Sequence, residues 1–288
     1  MIAGKEGRSM NIRCWGARGS IPVSGKNYLR YGGNTTCIEV RNNRDDILLV
    51  DAGSGIREAG NAFLAANRQN FTLLLTHAHW DHIVGFPFFK PLYRRKTHIS
   101  VWGCAFAQDS IREMLARVMT APYFPINYED IHARLDYSDS CEAAYQLGDM
   151  RIEPIALSHP NQGSGFKFSE SGKTFVFLTD NELGYRHEGG LDYDDYREFC
   201  LNADLLIHDA EYRNEEYPKI RGWGHSTVEQ AVNLALDAGV RQLGLFHHNQ
   251  DRIDDEVDDM VSRCREIIRG RKSALQCFAV HQLMDMAI

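Results

Sequence analysis

Long apolar runs are missing from this 288-residue sequence, in which no stretch approaches the ~18 consecutive apolar residues of a membrane-spanning helix. The opening stretch, MIAGKEGRSMNIRCWG, also lacks the continuous apolar core of a secretory signal. We therefore expect a cytoplasmic protein that has no membrane partner.

Basic charge is not in excess either, because 32 Lys and Arg residues face 39 Asp and Glu residues, a formal net charge of −7. A protein with this balance gains little nonspecific attraction for a long polyanion, although a local metal site still attracts a small phosphate. Long nucleic acid is therefore not an expected partner.

Paired cysteine motifs are absent as well. The seven cysteines are an odd number, and no two of them form a CxxC pair. The sequence thus predicts reduced, mostly buried thiols in preference to disulfides or a thiolate metal site. The cysteines are Cys14, Cys37, Cys104, Cys141, Cys200, Cys264 and Cys277.

Short β-like segments mix with helical patterns in two successive series. The first series runs from NIRCW to HISVWG, and the second runs from MRIEPIALS to RQLGLFHH, followed by the long helical pattern DRIDDEVDDMVSRCREIIRG. This order predicts an α/β fold in which two sheets pack face to face with helices outside. We expect one domain over residues 10–288, with a loose leader at 1–9 and an insert or lid at 104–150.

Three histidines and an aspartate crowd the stretch HAHWDH, which directly follows the apolar run FTLLLT. On an extended backbone the two-residue spacing places His77 and His79 on one side. A tight turn after them lets Asp81 and His82 face a neighbouring position. Four ligand-type residues within six positions indicate a metal site.

Further ligand-type residues follow later apolar runs. His159 follows IEPIALS, Asp180 follows TFVFLT, and the adjacent pair His247 and His248 follows RQLGLF. Nitrogen and oxygen ligands without a thiolate suit zinc, manganese or iron.

The order HxHxDH, then His, Asp and His, resembles that of the metallo-β-lactamase superfamily, and the resemblance extends over roughly residues 11 to 281. It implies a four-layer αβ/βα sandwich with two mixed sheets and helices outside. It also implies two divalent ions per chain, with zinc preferred and manganese or iron as alternatives. The resemblance assigns the first ion to His77, His79 and His159, the second to Asp81, His82 and His247, and the bridging position to Asp180 and a hydroxide.

Two neighbouring residues complete this expected site. His248 would point away from the metals, although an exchange of roles with His247 stays open. Asp51, in the stretch VDAGSG, resembles the early aspartate of the superfamily and is expected to support the ligands from behind.

The stretch HDAEYRNEEYPKIRGWGHSTVEQA discriminates between possible reactions. It is similar to the paired HEAT and HST motifs of the tRNase Z branch, which are phosphodiesterases, with HDAE in place of HEAT. GHST predicts a helix N-cap at Ser226 or Thr227, and backbone N–H groups there favour an anionic oxygen. The resemblance implies that His225 donates a proton and that the carboxylate of Asp209 orients His225. Together with Asp81, they are the expected catalytic residues.

The charge of the insert favours a small substrate. From Ala105 to Leu147 it holds three arginines and no lysine against seven acidic residues, a net charge of −4, which would repel an RNA backbone. We expect hydrolysis of a small phosphodiester, such as a cyclic nucleotide, by the hydroxide between the metals. A tRNase Z-like endoribonuclease and a thioesterase or lactonase of the same fold are the alternatives, and a homodimer is expected because the branch is often dimeric.

Loop side chains are candidates for substrate contacts. Tyr123 and Phe124, in APYFPINYED, carry rings that either stack on a base or pack under a loop. Arg18, Ser20 and Asn34 are polar loop residues near predicted strand ends, where we expect contacts to phosphate or ribose.

Overall fold

Two seven-stranded sheets form the framework of the computed structural model, which describes residues 10–104, 110–138 and 141–288. The expected leader at 1–9 lies outside the described residues. The first sheet consists, in order across it, of β14 (Asp285–Ala287), β1 (Asn11–Gly16), β2 (Cys37–Arg41), β3 (Ile47–Val50), β4 (Asn70–Leu74), β5 (His98–Trp102) and β6 (Arg134–Ser138). The second consists of β13 (Gln276–Ala279), β12 (Gln242–Phe246), β11 (Leu205–Asp209), β10 (Lys173–Leu178), β9 (Ser164–Glu170), β8 (Met150–Ala156) and β7 (Tyr145–Leu147).

Each sheet is antiparallel in one half and parallel in the other. In the first sheet β14, β1, β2 and β3 pair antiparallel, and β3, β4, β5 and β6 pair parallel. In the second, β7 to β10 pair antiparallel and β10 to β13 pair parallel. Within each parallel half the carboxyl ends of the strands meet at one edge, which is where ligands bind in open α/β sheets.

Apolar side chains on both faces of the central strands explain the layered packing. In β3, Leu48 and Val50 pack between the sheets, whereas Ile47 and Leu49 pack under the outer helices. The period of two in a strand sends alternate side chains to opposite faces, so a continuous apolar run fits a strand that is buried on both sides. The core between the sheets is rich in phenylalanine, from Phe166 to Phe246.

Helices lie on the outer faces of the two sheets and in the loops at their edges. They are α1 (Ile56–Ala65), α2 (Trp80–Ile83), α3 (Ile111–Arg117), α4 (Tyr193–Phe199), α5 (Tyr217–Ile220), α6 (Val228–Asp237) and α7 (Asp254–Gly270). Helices α1 and α3 pack on the first sheet, and α4, α6 and α7 pack on the second. The expected four-layer α/β sandwich is confirmed. No helix among the described residues has the length and apolar character to cross a membrane.

The expectation of reduced cysteines is wrong for one pair. Cys104 and Cys141 form a disulfide with their Cα atoms 4.6 Å apart. They follow β5 and β6, which are neighbouring parallel strands, so the fold brings together two residues that lie 37 positions apart in the chain. The other five cysteines are free and buried, as expected.

The expected insert at 104–150, within its described residues, contributes regular structure to both sheets, including β7 of the second sheet. It contains α3, which begins at the N-cap Ser110, and the edge strand β6. The side chains of Ile111, Met114 and Leu115 are buried in the helix layer of the first sheet. The division into one domain with an insert stays a prediction.

Candidate metal centre

The seven predicted ligands converge at the carboxyl edges of the two sheets and form two overlapping groups. Within each group, one ligand atom from every residue lies within 4.8 Å of the others. Asp180 belongs to both groups, which is the position expected of a bridging ligand. The first group is His77, His79, His159 and Asp180, and the second is Asp81, His82, Asp180 and His247.

The HAHWDH stretch places four of these residues by changing from extended to helical backbone. His77 follows β4, and His79 is the extended N-cap residue of the short helix α2. Asp81 and His82 lie in that helix, so they turn toward the second group. A short helix therefore takes the place of the expected tight turn.

Three residues of the centre have a left-handed backbone that side chains other than glycine rarely adopt. The φ angles are +64° at Asp51, +50° at Asp180 and +59° at His247. Each residue lies directly beyond or one residue beyond the end of β3, β10 or β12. Strained backbone of this kind concentrates at functional sites, where the surrounding structure holds it in place.

Two glycines let neighbouring loops approach the ligand imidazoles. A Cβ atom at Gly19 would lie 2.3 Å from the ring of His247, and one at Gly224 would lie 2.0 Å from Nδ1 of His159. Gly224 also accepts a hydrogen bond from that Nδ1 at 2.9 Å through its carbonyl oxygen. In the sequence, Gly19 lies between the polar residues Arg18 and Ser20 and Gly224 begins GHST, but neither position reveals these contacts.

The Nε2 atom of His82 is buried and free of hydrogen bonds with the described residues, as a metal ligand is expected to be. His82 is fully buried, and its Nε2 has no hydrogen-bond partner among the described residues. This atom lies 3.2 Å from Asp180 Oδ1 and 3.3 Å from Asp81 Oδ2. A buried nitrogen that faces two carboxylates without a hydrogen bond fits a metal ligand.

Electrostatics separate the two ligand groups. Burial lowers the pKa of His77 well below its usual value and that of His159 to about 3. Burial also lowers the pKa of His82, but the carboxylates of Asp81, Asp180 and Asp51 more than offset it and hold that pKa well above the usual value. Neutral imidazoles are free to bind a metal ion, and the protonated ring releases its proton when an ion binds.

Asp51 lies behind His82, as expected for a residue that supports a ligand. Its carboxylate accepts hydrogen bonds from Thr76 N at 2.8 Å, Thr76 Oγ1 at 2.7 Å and His82 Nδ1 at 2.7 Å. The carboxylate thereby fixes the orientation of the ring and leaves Nε2 for the metal.

Replacing Asp51 by asparagine is expected to weaken metal binding by about 10- to 100-fold. The amide N–H₂ group would face either Thr76 or the Nδ1–H of His82, so one of the three hydrogen bonds is replaced by a contact between donors. Competition with a chromophoric chelator measures the affinity. Asp149→Asn, which removes an exposed carboxylate, is the matched control, and equal affinities in the two variants would contradict the supporting role.

A second cluster adjoins the metal ligands and contains the two expected catalytic residues of the HDAE and GHST motifs. His225 Nδ1 lies 2.8 Å from Asp209 Oδ2. The ring of His225 stacks on that of His247 with centroids 4.8 Å apart and lies 5.3 Å from that of His159. Because Asp209 occupies Nδ1, Nε2 is the atom of His225 that is left for a substrate.

Glu211 is a member of this cluster that the sequence interpretation missed. It is 1% exposed, and its carboxylate accepts hydrogen bonds from His247 Nδ1 at 2.9 Å and Asn249 Nδ2 at 2.7 Å. It also lies 3.4 Å from His225 Nδ1. The sequence shows only that Glu211 lies two residues after Asp209 at the end of a strand, which does not reveal this contact.

Charge in this cluster favours a protonated His225. Burial lowers the pKa of His225, but the carboxylates of Glu211 and Asp209 more than offset this effect and raise it to about 9. The side chain of His225 is 12% exposed. His225 therefore holds a proton at neutral pH and has access to a bound substrate.

The two adjacent histidines after β12 have different surroundings. His247 belongs to the ligand groups. His248 lies on the other side, where its Nε2 donates to the carbonyl oxygen of Val280 at 2.8 Å and its ring packs against Tyr31. The geometry therefore favours His247 as the ligand.

The expectation of a substrate contact is wrong for Arg18. Its side chain is fully buried and donates to three backbone carbonyl oxygens. Nε bonds to Gly32 at 2.9 Å, and Nη1 bonds to Asn249 at 3.1 Å and to Arg252 at 2.7 Å. A guanidinium without solvent access joins loops behind the metal centre. The sequence showed a polar loop residue but not its burial.

Replacing Arg18 by leucine is expected to lower the free energy of unfolding by about 3 kcal/mol, because the carbonyl oxygens of Gly32, Asn249 and Arg252 each lose a hydrogen bond from a buried guanidinium. Urea denaturation measures the loss. Arg18→Lys keeps the charge but lacks the planar fork of donors, so a smaller loss is expected. A drop in kcat/KM with unchanged stability would instead indicate a substrate contact.

The remaining candidates for substrate contacts have contacts of other kinds. Ser20 donates its backbone N–H to Asp81 Oδ2 at 2.9 Å, and Asn34 Oδ1 accepts from Ser54 Oγ at 3.1 Å. The ring of Tyr123 is 89% exposed, whereas Phe124 packs edge-on against Phe88 with centroids 5.5 Å apart. Phe124 is thus a packing residue, and the roles of Asn34 and Tyr123 stay predictions.

Comparisons with known proteins agree with this geometry. A family model described as "Beta-lactamase superfamily domain" matches residues 47–248. Ribonuclease Z of Haloarcula marismortui is 23% identical over an alignment that covers 91% of this chain and 93% of that protein. The crystal structure of the metallo-beta-lactamase fold protein YhfI from Bacillus subtilis covers 98% of this chain and 100% of its own, with a TM-score of 0.72 and 17% identity.

A second solved structure has a comparable extent of similarity. Human tRNase Z, short form, covers 96% of this chain and 99% of its own, with a TM-score of 0.64 and 20% identity. At these identities the solved structures show a shared fold.

Proposed function

The chain belongs to the beta-lactamase superfamily and is a metal-dependent hydrolase, and from this premise we propose that it hydrolyses phosphodiester bonds at the candidate metal centre. The single observation that carries the proposal is the pair His225 and Asp209, joined at 2.8 Å beside the ligand groups. A protonated imidazole held next to a metal centre supplies a proton to an oxygen that gains negative charge.

We further propose that the centre holds two divalent ions, with zinc first and manganese or iron as alternatives. The donor set consists of imidazole nitrogens and carboxylate oxygens, which suits these metals. Bound ions would supply an activated water and neutralise charge on the phosphoryl oxygens. The first ion would be held by His77, His79, His159 and Asp180, and the second by Asp81, His82, His247 and Asp180.

Residues of this chain would orient the proton donor, carry the proton and support a metal ligand. Asp209 accepts a hydrogen bond from Nδ1 of His225 and so fixes the ring, and Nε2 carries the proton that moves to the departing oxygen. Glu211 holds His247 in place through Nδ1. The burial of Asp209 and Glu211 keeps both carboxylates away from bulk water.

Two substrates are candidates for this site. Relatives named Ribonuclease Z, which align over nearly their whole length, favour an RNA with a 3′ extension. The charge of −4 over residues 105 to 147 favours a small diester. The expected cyclic nucleotide is not confirmed, and the tRNase Z-like alternative has more support from the comparisons.

A substrate panel tests the proposal. Metal-loaded protein is incubated with a 3′-extended tRNA precursor, a set of cyclic nucleotides, bis(p-nitrophenyl) phosphate, a lactone and a thioester. Turnover of any phosphodiester supports the proposal, and the precursor or the cyclic nucleotides decide between the two candidates. Turnover of the lactone or thioester alone would overturn it. The expected homodimer stays a prediction, and light scattering on the same sample measures the oligomeric state.

The rate should fall on the alkaline side of its pH profile. The protonated form of His225 is the reactive one, so kcat/KM is expected to hold up to a pH of about 9 and to decline above it. Asp209→Asn removes one of the two carboxylates that raise this pKa, so the decline should begin at a lower pH. Profiles of both proteins, measured with a diester that has an alkoxide leaving group, check this, and coincident profiles would contradict it.

A further inference from the structure

A cleft lies beside the catalytic pair and outside the metal ligands. Its walls are formed by residues 212–223, which precede His225, and by residues 249–256, which follow His247 and His248. Its volume is about 390 Å³, within the range of about 300–1,000 Å³ that small-ligand pockets have.

The inner wall of the cleft contacts the catalytic cluster directly. Asn249 donates to Glu211 Oε1 at 2.7 Å, and the ring of Tyr212 lies 6.2 Å from that of His225. Both Asn249 and Tyr212 line the cleft. The cleft therefore adjoins the residues that hold His225 and His247 in place.

Trp223 gives the cleft an exposed aromatic surface on a fixed backbone. Its side chain is 59% exposed, and its backbone N–H donates to Ile220 O at 2.9 Å. On either side, the N–H groups of Gly222 and Gly224 donate to the buried carboxylate of Glu182, each at 2.8 Å. A large ring on a fixed backbone that is left open to solvent offers a stacking surface.

The charges of the cleft disfavour a phosphate. Its cation, Arg252, is already paired with Glu216 at 2.7 Å and lies 3.9 Å from Glu256. With Asp251 also in the lining, acidic groups outnumber the basic one. A neutral planar ligand fits this balance better than an anion does.

We propose that this cleft binds a nucleobase of the substrate, stacked on Trp223, while the phosphodiester lies at the metal centre. The proposal rests on the proposed function and adds to it the part of the substrate that is recognised. It assigns Trp223 to substrate binding and leaves His225 as the residue that transfers the proton.

The test uses a dinucleoside monophosphate and two derivatives, each lacking one of its two bases. Trp223→Ala is expected to lower kcat/KM for the complete substrate on the order of 10-fold, mainly through KM, because stacking on one ring is lost. Trp223→Phe keeps a ring and should retain most of the activity. One derivative lacks the base that fills the cleft. For this derivative, kcat/KM should be the same with Trp223→Ala as with the natural chain.

An equal response of all three substrates, or none, would overturn the proposal. Leu201→Ala, which removes another exposed apolar side chain, is the control and should leave all rates unchanged. Quenching of tryptophan fluorescence by adenosine, which carries a base but no phosphate, provides a readout that does not need turnover. If the natural chain cleaves none of the substrates, quenching that is lost in Trp223→Phe upholds the subsite while the proposed function fails, and absent quenching overturns the subsite as well.

Discussion

Replacing Asp180 by alanine is expected to lower kcat/KM for a phosphodiester on the order of 10³-fold. One oxygen of Asp180 faces each ligand group: Oδ1 lies 3.2 Å from His82 Nε2 and 3.3 Å from His247 Nε2, and Oδ2 lies 3.6 Å from His77 Nε2. The loss of a shared ligand disturbs both metal positions, and metal ions supply several kcal/mol of transition-state stabilisation.

Metal content must be measured together with the rate. Elemental analysis of the dialysed Asp180→Ala protein should find fewer ions per chain than in the natural protein. Asp180→Asn keeps the shape and one oxygen, so a smaller loss is expected, and Asp149→Ala tests an exposed carboxylate. Circular dichroism checks that each variant folds. Full metal content with a full rate in Asp180→Ala would exclude the bridging role.

The layered fold was predictable because strands such as β3 are apolar on both faces. A short run like ILLV is typical of a strand that is buried on both faces, and in the structure Leu48 and Val50 face one side and Ile47 and Leu49 the other. The ligand set was predictable for a related reason. A histidine or aspartate that directly follows such a run lies at the edge of the sheet, where several strand ends meet.

The residues that the sequence did not predict are those whose role depends on contacts between distant loops. Glu211 looks like an ordinary acidic residue after a strand, and only the fold shows that it holds His247. Arg18 looks like a polar loop residue, and only the fold shows that Asn249 and Arg252 surround it. Charge and spacing along the chain say nothing about burial, so such residues require three-dimensional information.

Replacing His225 by alanine is expected to lower kcat on the order of 10² to 10⁴-fold for a diester with an alkoxide leaving group. The variant loses the proton donor, whereas the seven metal ligands stay intact. Metal content should therefore match that of the natural protein, and circular dichroism checks that the variant folds. His98→Ala, which removes a half-exposed histidine paired with Asp136, is the matched control and should retain the full rate.

The leaving group decides what His225 contributes. A p-nitrophenolate departs without a proton, so His225→Ala should lose far less activity toward bis(p-nitrophenyl) phosphate than toward the alkoxide ester. Equal losses on both substrates would instead mean that His225 stabilises a phosphoryl oxygen, because that contribution does not depend on the leaving group. No loss on either diester would remove the observation on which the phosphodiesterase proposal rests and would favour a thioesterase or lactonase. The ratio of the two losses therefore measures how much of the catalytic effect of His225 is proton transfer.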